Sequence, residues 1–290
     1  MSNISFFAKL PFLNISPGKP YDFNGPTPRR GHLLRVSSLI RGVQIAERMG
    51  AKLNPTEGYE NDVCIYVKPR VVPPADFNFE GKPFLDICDS VDLYPLAIKH
   101  PEVPVISASD YNLEVLRRVL TNRIVNIPEQ HCNFERVVRD RDGITTVGII
   151  GTSGAFDFLP EGLETKLTEK GIKLLEFSKF FSRQDVVDFY KQIDIQIIWR
   201  PYLKFNKDRL WNPLKIVNSA SFGIPTIAYD EPTFKEMEGC YIPVNSLDEF
   251  LVELDKLRES KGLYETYAGK CVAKAEEYHI DNIVKLYQQL

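Results

Sequence analysis

The sequence predicts an α/β protein built as two Rossmann-like domains facing across a cleft. Short apolar runs alternate with stretches of helical periodicity along the chain, the pattern of a parallel, doubly wound sheet. The alternation restarts after RVVRDRDGI (136–144), a charged segment ending in Asp-Gly, which is read as the boundary between domains. A length of 290 residues fits two medium domains better than one.

In the first domain, 1–142, strands are expected at 4–10, 62–68, 83–89, 103–109 and 123–128, with helices at 33–49, 91–99 and 110–121. In the second, 143–275, the order is strand 145–150, helix 161–170, strand 172–176, helix 184–191 and strand 194–198. Helix 213–222, strands 224–229 and 240–242, and helices 246–259 and 261–289 follow. The last segment, 276–290, could cross back onto the first domain. Ligands of such folds sit beyond the carboxyl ends of the strands, so a cleft between two domains is the expected site.

Composition narrows the function classes. A formal net charge of -3 gives no global reason to expect nucleic acid. The 5 cysteines are scattered without C-x-x-C spacing, which speaks against a disulfide framework or a zinc site and for reduced, cytoplasmic thiols. His131 and Cys132 are adjacent but have no further ligand at metal spacing. The N-terminus does not read as a signal peptide, and no apolar run is long enough for a membrane span. Lysines and arginines of the first domain could still meet an anionic surface, a peripheral membrane association.

The stretch NPLKIVNSASFGIP (212–225) carries the most chemistry. Asn212 is a good N-cap, Pro213 suits the first helical position, and Gly223 and Pro225 suit the exit. Lys215 then stands in the first turn, where the helix already presents positive charge. A bound anion would turn that arrangement favourable, and Asn218 shares the face of Lys215. Residues 200–215 hold Arg200, Lys204, Lys207, Arg209 and Lys215 against Asp208 alone.

Upstream, VGIIGTSGAF (147–156) empties a strand into a glycine turn. Gly151 and Gly154 let backbone amides approach a phosphate, and Thr152 and Ser153 add hydroxyl donors. It is neither a Walker A nor a full G-x-G-x-x-G motif. In AYDEPTFKEMEGCYIP (228–243), Asp230, Glu231 and Glu236 could accept hydrogen bonds from a hydroxyl-rich ligand. In the first domain, Arg29, Arg30 and His32 follow strand one, Lys68 and Asp89 lie at strand ends, and Asp110 is read as a helix cap. No G-x-S-x-G elbow appears, which disfavours a serine hydrolase.

Together these residues resemble a GT-B glycosyltransferase of the retaining, nucleotide-sugar-dependent type. The specific match is Lys215-x-x-Asn218-x-x-x-x-Gly223-x-Pro225, similar to that family's P-L-K-x-x-E-x-x-x-x-G-x-P donor segment. The glycine turn, FFSRQDVVDFYKQIDI (180–195), EPTFKE and the order FLDICD, VISAS, IVNIPEQHCNFE add weaker likeness across most of the chain. The resemblance implies that Lys215 and Arg209 neutralise the diphosphate of a hexose donor, with Gly151, Thr152 and Ser153 facing it and Arg200 in the basic loop. Arg183 would lie near the base, Asn218 would meet the ribose where the family has glutamate, and Glu236 would bind the donor. A glycan or glycolipid acceptor would enter near Arg30, His32 and Asp89. A retaining reaction of this kind needs no protein nucleophile, cofactor or metal, whereas an inverting one would need His32 or Asp89 as base. A non-catalytic nucleotide- or sugar-binding module, or an epimerase of the same fold, are the alternatives.

Overall fold

A computed structural model describes residues 3–9, 36–69, 77–138, 140–152, 155–201 and 210–290. Two parallel sheets organise it. The first has the order β2-β1-β3-β4-β5-β6, from β1 (Ile4–Ala8), β2 (Lys52–Leu53), β3 (Val63–Val67), β4 (Lys82–Asp86), β5 (Val105–Ser107) and β6 (Ile124–Asn126). The second has the order β11-β10-β9-β7-β8, from β7 (Thr146–Ile150), β8 (Lys173–Phe177), β9 (Ile195–Ile198), β10 (Thr226–Tyr229) and β11 (Tyr241–Val244). All recorded strand pairs are parallel.

Each sheet reverses its strand order once, between β1 and β3 and between β7 and β9. Ligands of open α/β sheets bind at such reversals, beyond the carboxyl ends. The central strands VCIYV and IQII are buried throughout, as parallel strands covered on both faces must be.

The covering helices are α1 (Ile45–Met49), α2 (Tyr94–Lys99), α3 (Asp110–Val119), α4 (Leu163–Glu169), α5 (Arg183–Tyr190), α6 (Leu214–Ser221), α7 (Leu247–Glu259), α8 (Lys261–Ala275) and α9 (Ile280–Tyr287). Three departures from the expected elements have local causes. The helix expected at 33–49 is π-helical over Ser38–Gln44 before it becomes α1. There Gly42 lies so close to β1 that an added Cβ would stand 2.6 Å from Ala8 Cβ, and Arg41 is turned into the core onto Asp86 at 2.7 Å. The helix expected at 261–289 breaks at His279, whose backbone is extended and whose Nδ1 accepts from Asp281 N at 3.2 Å to begin α9. Asn212 precedes the helix by one residue more than expected, because α6 starts at Leu214 after Pro213.

The chain ends inside the first core. Ile280, Ile283, Val284 and Tyr287 form one stripe at helical spacing and share a cluster with Phe6, Ile45 and Val67. Tyr287 meets Phe6 edge to face at 5.4 Å.

Candidate active site

The site gathers at the β7/β9 reversal of the second sheet. β7 runs out at Ile150 into Gly151, β9 runs out toward Trp199 and Arg200, and α6 starts alongside. A Cβ on Gly151 would lie 2.8 Å from Lys215 Nζ and 2.5 Å from Ala155 Cβ, so only glycine lets the backbone and the ammonium come this close. Tyr190 Oη donates to Lys215 O at 3.4 Å, which fixes the first turn of α6 from below.

Among the described residues, Lys215 Nζ has no hydrogen-bond or ion-pair partner. Burial, and after it the nearby Arg200, lower the Lys215 ammonium from the ordinary 10.5 to about 7, with Glu231 opposing both. A cation desolvated beside a second cation is costly unless an anion joins it.

Arg200 is itself satisfied. Its guanidinium makes a two-point pair with Glu231 at 2.9 and 2.8 Å, between the rings of Trp211 (5.1 Å) and Phe234 (5.4 Å). Arg200 therefore acts on the site through its field and not as a free fork. Glu231 also accepts from Thr233 Oγ1 at 3.1 Å, and burial raises its carboxyl against the pull of Arg200.

Asn218 and Arg183 face the same cavity and are both engaged with the segment after β6. Asn218 Oδ1 accepts from Cys132 N at 2.7 Å. Arg183, the first residue of α5, is placed by a capping box in which Ser182 Oγ accepts from Asp185 N and Asp185 Oδ2 accepts from Ser182 N. Its guanidinium donates to Cys132 O at 2.7 Å and to Glu135 at 2.9 and 2.6 Å, and lies 4.4 Å over the Phe134 ring.

Gly151, Arg183, Lys215 and Asn218 thus line one cavity of about 150 Å³, with Ile40 of the first half and Phe180 of the second among its apolar walls. That volume is below the ~300–1,000 Å³ of a whole small-molecule site, so the cavity has room for only part of such a ligand. Thr152 is exposed beside Gly151. Ser153, Arg209 and His32 lie outside the described residues, as do Arg29, Arg30, Gly154, Lys204 and Lys207.

Two further expected site residues do not line this cavity. Glu236 Oε2 accepts from Asp110 N at 2.9 Å at the start of α3, across the interface between halves. Burial and the nearby Asp110 charge raise its carboxyl to about 7, against the lowering effect of that hydrogen bond. Asp89 pairs with Lys68 at 2.5 Å beyond the ends of β3 and β4 in the first sheet. Lys68 and Cys88 there hold positive φ angles of 45° and 59°, uncommon for residues with a side chain. Asp110 is the first residue of α3, and the cap is Ser109, which accepts from Asn112 N at 3.1 Å.

Sequence reasoning missed Cys132 and Glu135 as the partners of Asn218 and Arg183. Only the motif IPEQHCNFE hinted at that segment, and a backbone donor carries no residue signal. His131 beside it is buried, accepts from Asn133 N at 3.2 Å, and is lowered to about 3 by burial. Among the described residues no group of three or more His, Cys, Asp or Glu side chains could hold a metal ion.

No family model and no curated protein matches the chain. Solved structures do, and together with the two sheets they establish the fold as GT-B. HepE of Anabaena, determined in complex with UDP-glucose, matches at a TM-score of 0.57 and 10% identity over 100% of this chain and 99% of its own. The pneumococcal O-GlcNAc transferase GtfA, in complex with UDP and GlcNAc, matches at 0.52 and 12% identity over 79% of this chain and 56% of its own. S. aureus TarM, as a G117R mutant with Fondaparinux, alpha-GlcNAc-glycerol and UDP, matches at 0.55 and 12% identity over 78% and 54%. The chain spans about half the length of GtfA and TarM and nearly all of HepE.

Proposed function

We propose that the protein is a glycosyltransferase that moves a hexose from a nucleotide-diphosphate sugar to a hydroxyl of a glycan or glycolipid. The observation that carries this is Lys215, a desolvated cation without a described partner, held against a glycine turn at the start of a helix. A diphosphate supplies the missing charge, and the UDP-glucose of the similarly folded HepE and the UDP of GtfA and TarM support that choice. Lys215, with Arg209 and the Gly151-Thr152-Ser153 turn, would stabilise the departing diphosphate, worth about 10²–10³ in rate for one such donor. Arg200 would add its field from behind Glu231. In this account the helix start and the cations do the work of a metal ion, the sugar keeps its anomeric configuration, and no cofactor takes part. The acceptor would lie toward Asp89 and His32. Cytoplasmic residence with at most peripheral membrane contact fits the composition, and no helix among the described residues is long and apolar enough to cross a membrane.

Thermal shifts with UDP, GDP, dTDP, CMP and ADP would identify the nucleotide, and a panel of the matching sugar nucleotides should then show donor turnover. Loss of turnover in Lys215→Ala is expected; undiminished turnover would remove Lys215 from the mechanism. A second reading is a nucleotide-binding module without transfer, favoured by Asn218, whose amide oxygen is engaged by Cys132 N. Tight diphosphate binding with neither hydrolysis nor transfer, whatever acceptor is offered, would select it.

A further inference from the structure

The two halves meet where two helices begin, and each start is tied to a carboxylate of the other half. Glu236 Oε2 accepts from Asp110 N at the start of α3. In the reverse direction, Glu129, just past β6, accepts through Oε2 from Asn212 Nδ2 at 2.7 Å. The same Asn212 accepts through Oδ1 from Leu214 N at 3.2 Å, the first residue of α6. The Asn212 amide can sit only this way, since turning it over would set its oxygen against a carboxylate.

Glu129 is 5% exposed, and its second oxygen accepts from Cys88 Sγ at 3.3 Å, which anchors it beyond the end of β4. Nearby, Ser109 Oγ donates to Trp211 O at 3.1 Å, so the residue before Asn212 is also held from the first half. A buried carboxylate is a poor source of net stability, because desolvation offsets most of what its partners return. What it can do well is fix a direction, and the fixed direction here is that of the α6 start. Lys215 is the next residue after Leu214.

We infer that Glu129 is a positioning residue: through Asn212 it sets where Lys215 stands beside the Gly151 turn, and so ties the contact between the two halves to the diphosphate site. The role of Lys215 in that statement rests on the proposed function, while the mechanical link from Glu129 to the α6 start does not.

Exchanging donor and acceptor tests the link. Asn212→Asp keeps an oxygen for Leu214 N but confronts Glu129 with a second carboxylate. Adding Glu129→Gln restores a bond in the opposite direction, from a glutamine amide to an aspartate. At pH 7, amide exchange over residues 214–218 should quicken about tenfold in Asn212→Asp and return to the wild-type rate in the double variant. UDP affinity should weaken about tenfold and recover in step, whereas uridine, lacking phosphates, should bind all three proteins equally. Exchange that is unchanged in Asn212→Asp, or not restored in the double variant, overturns the positioning role. UDP affinity that ignores Asn212→Asp overturns the coupling to the diphosphate site. A wild-type protein that binds no UDP yet shows the exchange pattern refutes the diphosphate reading and leaves the positioning role supported.

Discussion

Two lysines stand at comparable places in the two sheets and meet opposite fates. Lys68 follows β3 beside the β1/β3 reversal and is matched by Asp89 at 2.5 Å. Lys215 sits at the β7/β9 reversal, beside Gly151, with Arg200 as the largest influence on it after burial and no described hydrogen-bond or ion-pair partner of its own. The first half therefore carries a neutralised pair at its strand ends, and the second a lysine that no described side chain pairs with. A neutral hydroxyl compound suits the former, and a diphosphate suits the latter.

The most severe way to break this contrast is to remove the second charge. Lys215→Met should lower sugar-nucleotide turnover by about 10²–10³, measured with saturating donor. The same variant should be more stable than the wild type by on the order of 1 kcal/mol near neutral pH, by denaturant titration, because a half-buried cation has been replaced by an apolar chain. The pH dependence has a definite sign. The folded Lys215 titrates at about 7 and the unfolded one at 10.5, so between those values the unfolded chain holds more protons. Wild-type stability should accordingly rise with pH through that window by virtue of this group, and Lys215→Met should lose that rise.

Ligand binding runs the other way. A diphosphate needs the protonated lysine, so affinity for the preferred nucleoside diphosphate should fall by up to about tenfold per pH unit above pH 7, by calorimetry. A flat profile would place the phosphates away from Lys215.

Gly151→Ala sharpens the contrast more gently. Its Cβ would press on Ala155 Cβ and on Lys215 Nζ, so a loss of about 1–3 kcal/mol in stability and a drop in diphosphate affinity are expected together. Least sensitive should be the matched pair. Its carboxylate is half exposed, so Asp89→Asn should change stability by less than about 1 kcal/mol, with its main effect on the KM for acceptor.

How much of this was legible in the sequence depended on the range of the interaction. Alternating apolar runs gave both sheets, because each strand and helix states its own period. Lys215 was legible for the same reason: its oddity is local, a cation in the first turn of a helix. The pairs that organise the site are not local. Arg200 with Glu231, Arg183 with Glu135, and Glu236 with the start of α3 join residues 31, 48 and 126 positions apart, so each looked like a free charge in the sequence. The bond from the Cys132 amide to Asn218, 86 positions apart, was hidden for the same reason. The π-helical stretch at Ser38–Gln44 was hidden likewise, since it depends on Gly42 meeting β1 and on Arg41 reaching Asp86, 45 residues on.

The central claim, that the α6 start is built for a diphosphate, is tested most directly by calorimetry of one nucleoside diphosphate and its parent nucleoside against wild type and Lys215→Met. Wild type should favour the diphosphate by at least about a hundredfold, and the variant should lose most of that preference while binding the nucleoside unchanged. A preference that survives the loss of Lys215 would contradict the account.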